Sequence, residues 1–224
     1  RCVRDLLMSV CGSLLVKGQP HKQMYNLFGD TNGGKSFIDR VIKTAMGDAY
    51  TTISPSVLAS DDDASGHTEW LMPLRGASVA GTAEPDANTR WNASRIKRMV
   101  TPFDGFSGRG IFGTMTVVEI LAKLMAGMNA KPPFTLTDRA LFERLCLIEF
   151  PSFFTQEANV PKSTAERFRL GVFPAQTRFE DGEMRRIAQV FVCAMFHNFV
   201  DRQQYRPDFS IRMPLMMELA RQNY

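Results

Sequence analysis

The amino-acid sequence predicts an α/β fold: a central, mostly parallel sheet flanked by helices, followed by a helical C-terminal extension. Three observations predict it. An apolar, strand-like run ends directly on Gly29-Asp30-Thr31-Asn32-Gly33-Gly34-Lys35-Ser36, and a helical pattern begins where that octapeptide closes. β-rich and helix-patterned segments then alternate as far as residue 150, the order that builds parallel sheets. Beyond Pro151 the composition shifts to a polar stretch and then to helical patterns only. With 224 residues, 44% of them hydrophobic, the chain supports one substantial core plus an extension rather than two equal domains. The expected divisions are a lead-in helix (1–23), a core (24–152), and a linker with a helical C-terminal extension (153–224).

Taken in order, Val3, Leu6, Leu7, Val10, Leu14 and Leu15 recur at helical spacing, and Gln19-Pro20-His21 breaks that helix. Met24 to Phe28 reads as a strand ending on Gly29. From Ser36 to Met46 the pattern is helical, with Phe37, Ile38, Val41, Ile42 and Ala45 on one side. Tyr50 to Ile53 is β-rich and stops at Pro55. The acidic run at 60–67, SDDDASGH, reads as a solvated loop, because adjacent acids without a spaced partner rarely bind a metal. Thr68 to Leu74 fits a helical turn, and Ala77 to Thr82 has the small apolar residues of a buried parallel strand. Asn92 to Val100 is a basic helix, and 103–113 is rich in glycine and aromatic residues.

By pattern alone, Ile120 to Met128 is ambiguous between helix and strand. Asn129 and Pro132-Pro133 stop it. Thr137 to Arg144 reads as a helix capped by Thr137 or Asp138, and Leu145 to Phe150 as a strand. An amphipathic helix over 183–201 and a last one near 213–222 finish the chain.

Composition excludes some classes. No apolar run approaches the roughly 20 residues needed to span a bilayer. Cys2, Cys11, Cys146 and Cys193 are scattered in apolar contexts with no zinc spacing, so they read as buried free thiols. A net charge of +4 and a pI near 9.0 give a mild bias towards polyanions. The chain begins with Arg1 rather than Met, and so reads as a piece of a longer protein.

The octapeptide matches G-x-x-x-x-G-K-[ST] in full through Gly29, Gly34, Lys35 and Ser36. Glycines let backbone N–H groups of Gly29, Asp30, Thr31, Asn32, Gly33 and Gly34 wrap phosphates without Cβ clashes. Lys35 is placed to reach the β- and γ-phosphates of ATP, the Ser36 hydroxyl to hold Mg2+, and the following helix turns its positive end to the anion. Such a loop names a nucleotide and not a task, since kinases, motors and helicases share it.

Four blocks in order make the chain resemble a superfamily 3 helicase of the primase-helicase type found in large DNA viruses and phages. They span residues from about 5 to 150. The lead-in with Gly12-Ser13-Leu14-Leu15 before MYNLFG, and Asn32 within the loop, resemble the first block. The second, RGASVAGTAEPDANTRWNASRIKRM (75–99), resembles the acidic motif in which a buried strand delivers a carboxylate beside Mg2+ and the attacking water. The resemblance gives that role, and a share of the metal, to Glu84. Pro85 separates Glu84 from Asp86, where family members often have two adjacent acids.

The third block, RIKRMVTPFDGFSGRG (95–110), resembles the nucleic-acid segment: a basic helix leading into a hairpin that faces the channel of a ring. The resemblance implies phosphate contacts for Lys97, Arg98 and Arg109, with Phe106 at the tip packing on sugar or base. Pro102-Phe103 departs from the family's two glycines after the threonine. In the fourth block, 120–150, the resemblance makes 122–128 a strand. It casts Asn129 as the polar residue orienting the hydrolytic water, and Arg144 as an arginine finger offered to a neighbouring subunit, with Arg139 its rival.

The resemblance therefore implies an AAA+-like P-loop NTPase core that hydrolyses ATP with Mg2+ between subunits of a homo-oligomeric ring, a hexamer, moving 3′→5′ on single-stranded DNA. It also implies a primase domain upstream in the full-length protein, and work at a viral replication site inside a host cell. Three rivals differ in what the loop drives. A translocase or packaging ATPase would hydrolyse without unwinding, a nucleotide-gated assembly module would barely turn over, and an RNA-virus helicase would prefer RNA.

Overall fold

The computed structural model describes residues 2–19, 21–59, 68–84, 91–102, 104–108, 116–129 and 139–205. Helix α1 (Cys2–Ser13) leads into β1 (Met24–Phe28), and α2 (Lys35–Met46) follows the loop. Then come β2 (Tyr50–Ile53), α3 (Pro55–Ala59), a 3-10 segment (Glu69–Leu74), β3 (Val79–Thr82) and α4 (Ala93–Met99). The hairpin strands β4 (Phe106–Gly108) and β5 (Thr116–Val118) precede β6 (Lys123–Met128), α5 (Arg139–Phe142) and β7 (Leu145–Glu149). The chain continues through β8 (Phe153–Thr155), α6 (Thr164–Leu170), β9 (Val172–Pro174) and α7 (Asp181–Tyr205).

Five strands form the central sheet in the order β2-β3-β6-β1-β7, and every neighbouring pair is parallel. Of the ambiguous 120–128 run, Lys123–Met128 resolves as a strand, because its period-2 alternation serves two faces at once. On one face Met24, Leu124, Ala126, Met128 and Leu145 pack with α3, α4 and α5 residues such as Leu58, Ile96, Met99 and Leu141. On the other, Tyr25, Leu27, Met125, Cys146 and Ile148 pack with Leu6, Val10, Leu14, Ile42 and Met195 from α1, α2 and α7. Covering both faces is what permits an all-parallel sheet with near-continuous apolar strands. The fold is α/β, as the alternation predicts.

Two features depart from expectation. The polar stretch after Pro151 is more than a linker: β8 and β9 pair in parallel around α6. Helix α7 lies against both α1 and α2, so the lead-in and the extension share one layer. Cys11 and Cys146 are buried free thiols, whereas Cys193 on α7 is exposed, because its position falls on the solvent side of a long helix. The acidic run 60–67 and the last helix expected near 213–222 lie outside the described residues. No helix among the described residues is long and apolar enough to cross a membrane.

Candidate phosphate loop and acidic site

Parallel strands present their carboxyl ends at one edge of a sheet. Here β1 sits between β6 and β7, where chain direction across the sheet reverses, and ligands of open α/β sheets bind in the crevice at such a point. Gly29 to Gly34 leave β1 at that edge. Asn32 and Gly34 are left-handed (φ 64° and 89°), and Gly29 also has positive φ (151°). Alternating hands turn successive N–H groups towards one concavity, which suits an anion. Helix α2 begins at Lys35 and adds its amino-terminal dipole.

Two glycines are dictated by close approach. A Cβ at Gly29 would stand 2.4 Å from the Phe150 carbonyl oxygen, and one at Gly34 would stand 3.1 Å from the Phe154 ring. The loop is also tied to the same segment by backbone bonds, Phe150 N–H to the Phe28 carbonyl at 2.7 Å and Phe154 N–H to that of Asn32 at 3.0 Å. In the sequence this bracing leaves one trace, the Phe153-Phe154 pair inside a polar stretch.

Lys35 is 9% exposed, and its Nζ donates to the carbonyls of Gly29 (2.7 Å) and Asp30 (2.8 Å). Burial pulls its pKa below the usual lysine value, while the charges of Glu84 and Asp30 push the other way. Asp30, Thr31, Asn32 and Ser36 are exposed, so the hydroxyl of Ser36 at the helix start is accessible.

Glu84 lies two residues beyond β3, and Asn129 directly follows β6. Since β6 pairs with both β3 and β1, Asn129 stands between Glu84 and the loop. Its backbone N–H donates to Glu84 Oε1 and its Nδ2 to Oε2, both at 2.7 Å. Lys35, Ser36, Glu84 and Asn129 are thereby brought to one edge. A hydroxyl and a carboxylate beside an anion cradle are the oxygen donors Mg2+ takes, its remaining positions being filled by water and phosphate oxygens. Among the described residues no cluster of His, Cys, Asp and Glu makes a self-contained metal site.

Arg144 is not brought to this edge. It precedes β7, and its carbonyl accepts from Met24 N–H at 2.8 Å, at the amino end of the sheet. Five strand residues, roughly 15 Å, separate that end from the loop. Its Nη1 donates to the Ala140 carbonyl at 2.7 Å, and its Nε is buried with no hydrogen-bond partner among the described residues. Arg139 is 93% exposed on its side chain and pairs with Glu143 at 3.4 Å.

The nucleic-acid block, 95–110, carries the expected basic helix, but the antiparallel hairpin pairs β4 with β5 and so runs on to Val118, beyond that block. Lys97 and Arg98 are half-buried on α4. Phe106 corrects the expectation of an exposed tip aromatic. It is 1% exposed, edge-on to Trp70 at 5.5 Å, with the Arg98 guanidinium 3.9 Å from its ring centre. Phe106 opens the first hairpin strand, where the sheet-side core claims its ring; a run rich in glycine and aromatics conceals that. Arg109 and Asp86 lie outside the described residues.

No family model matches the chain. It is 26% identical over 137 residues to the uncoating factor OPG117 of monkeypox virus, and equally to that of vaccinia virus, covering 59% of this chain and 17% of the relative. Among solved structures it resembles an apo form of the NrS-1 C-terminal region, with a TM-score of 0.58 and 13% identity over 97% of this chain and 46% of that one. A second apo structure of that region gives 0.57 and 12% over the same shares. These likenesses carry the fold. The chain spans less than half of the NrS-1 region and about one sixth of the curated relatives it matches.

Proposed function

We propose that this chain is the ATP-driven motor of a replicative DNA helicase of the superfamily 3, AAA+ type. The observation that carries the reading is the Glu84 carboxylate, gripped by Asn129 at the same sheet edge as a complete phosphate-type loop. In this reading the triphosphate lies along the N–H groups of residues 29–34, and Lys35 leaves its loop carbonyls for the β- and γ-phosphate oxygens. Glu84 polarises the attacking water, and Asn129 fixes the carboxylate's orientation. Ser36 and Glu84 would hold Mg2+, which would neutralise phosphate charge when bound.

Arg144 sits at the opposite end of the sheet from its own loop, which supports a role in trans, where it would stabilise the transition state at a neighbour's nucleotide. Assembly into a homo-oligomeric ring follows from that division of the site. Lys97, Arg98 and Arg109 supply cationic contacts to single-stranded DNA near the hairpin, and a primase domain is proposed upstream. The curated relatives are viral proteins, in keeping with a viral replication apparatus.

The test is ATP turnover with and without single-stranded DNA, for the parent and Lys35→Ala. DNA should stimulate the parent, and the variant should lose at least about 100-fold in rate. Unchanged turnover in the variant would overturn the mechanism. Hydrolysis without strand displacement by the assembled full-length protein would favour a translocase.

A further inference from the structure

A cavity of about 410 Å3 lies at the amino edge of the sheet, at the end remote from the phosphate loop. Its walls come from the chain between α1 and β1, from Pro102 after α4, and from the 119–123 run that enters β6. Backbone bonds fix this arrangement: Gly18 N–H donates to the Leu121 carbonyl at 2.8 Å, and Lys123 N–H to that of Ser78 at 2.9 Å. The size falls in the ordinary range of small-molecule pockets, about 300–1,000 Å3.

Lys123 is the unusual member of the wall. It is 1% exposed at the first position of a central strand, where an apolar residue is the ordinary choice. Among the described residues the ammonium has one acceptor, the Val16 carbonyl, and no carboxylate pairs with it. Burial pulls its pKa down to about 8, so near neutrality it still carries its proton. A buried ammonium satisfied by a single neutral carbonyl is costly unless a countercharge reaches it. The cavity borders the Lys123 side chain, so a countercharge held there can draw the ammonium off the Val16 carbonyl. Around it Val16, Pro102, Ile120 and Leu121 offer apolar surface, Ser13, Gln19 and His21 add polar atoms, and Lys17 and Glu119 on the exposed rim offset each other. One uncompensated positive charge beside apolar walls suits a single negative charge on an organic body.

We propose that this cavity binds a small organic monocarboxylate, its carboxylate on the Lys123 ammonium and its hydrocarbon or aromatic body against Val16, Pro102, Ile120 and Leu121. The site is separate from the nucleotide edge. Six residues of β6, roughly 20 Å, divide Lys123 from the turn carrying Asn129.

The probes are benzoate and hexanoate, each compared by calorimetric titration with the alcohol of the same body, benzyl alcohol and hexanol. In the 224-residue chain each acid should bind at least about tenfold more tightly than its alcohol, and Lys123→Met should bring the two to parity. Parity in the parent, or an acid preference that survives Lys123→Met, overturns the proposal. So does the absence of binding up to about 10 mM, which would leave the ammonium to an acidic side chain of another protein. Val16→Trp, at the exposed rim, should fill the cavity and abolish binding of both members of each pair, which keeps the test decisive if Lys123→Met fails to fold. The acid preference should persist in Lys35→Ala; its loss there would place the anion on the phosphate loop and overturn the assignment.

Discussion

Asn129 holds both oxygens of the Glu84 carboxylate, through its backbone N–H on Oε1 and its Nδ2 on Oε2, each at 2.7 Å. Two donors from one residue fix the plane of the carboxylate as well as its position. The strands order this pair: β6 separates β3 from β1, so the residue after β6 is the one that can touch both the acid and the loop.

The first prediction is taken from that clamp. Asn129→Ala retains the backbone donor and removes the amide, and Asn129→Asp adds a like charge beside Glu84. Under the proposed mechanism turnover should fall by about 10²–10³ in the alanine variant and further in the aspartate variant. Nucleotide affinity should stay within about threefold in the alanine variant. Separate measurement of kcat and the nucleotide Kd checks this; a loss confined to binding would remove Asn129 from the hydrolytic step.

Gly29→Ala tests the brace on the loop. The added methyl would meet backbone, the Phe150 carbonyl at 2.4 Å, and the φ of 151° is strained for alanine. A loss of about 3 kcal/mol in unfolding free energy is expected. Gly76→Ala, with φ 85° in a turn but nothing within 4 Å of an added Cβ, should lose only about 1 kcal/mol. Denaturant melts of the two variants compare clash plus strain with strain alone.

Phe106→Ala separates a core residue from a contact residue. Emptying a site that is 1% exposed should cost about 3–5 kcal/mol of stability. It should also release the Arg98 guanidinium from its ring. Phe106→Leu, which keeps most of the volume, should leave binding of single-stranded DNA near the parent level. A selective loss of DNA affinity in a stably folded Phe106→Leu variant would restore the tip role.

What the sequence made legible follows the range of the interactions involved. The phosphate loop is local, and its glycines and lysine are written in eight consecutive residues. The alternation that yields a parallel sheet is also local, repeated along the chain. Glu84 and Asn129 were singled out only through the resemblance, because the bonds between them join residues 45 apart and no local pattern connects them. The brace from Phe150 and Phe154 was not legible, because it is made chiefly by backbone atoms and places no demand on side-chain type. Phe106 misled for the opposite reason. Glycine and aromatic neighbours signal an exposed turn, while its burial depends on Trp70 and Arg98, which no local pattern connects to it.

Lys123 predicts a pH dependence with a definite sign. Its folded pKa, about 8, lies below the unfolded value of 10.5, so between those values the unfolded chain binds the extra proton. Stability contributed by this group therefore rises with pH through that window and is constant below it. From pH 7.5 to 10 the parent should gain about 1–3 kcal/mol relative to Lys123→Met. The difference between the two proteins matters, because other groups titrate there as well; burial raises the Cys11 thiol to about 12, which works in the opposite direction. Equal slopes for parent and variant in denaturant melts would show that Lys123 meets a countercharge.

Arg144 offers the sharpest test of a shared site. Its place at the amino end of β7 puts it roughly 15 Å from its own loop, so a catalytic role requires a second subunit. Arg144→Ala should then lower turnover by about 10³–10⁵ while its own phosphate loop stays intact. Lys35→Ala should fail for the complementary reason, with its arginine intact. Mixing the two inactive variants creates sites in which Lys35 comes from one subunit and Arg144 from the next. In a randomly assembled head-to-tail ring about one quarter of the sites are restored, so activity should reappear at about that fraction of the parent. Adding Arg144→Lys to the Lys35→Ala chain, which keeps the charge but loses the guanidinium fork at the restored sites, should abolish most of that recovery. Mixtures that stay as inactive as their components, with assembly verified by sedimentation, would confine catalysis to a single chain and take the arginine out of the mechanism.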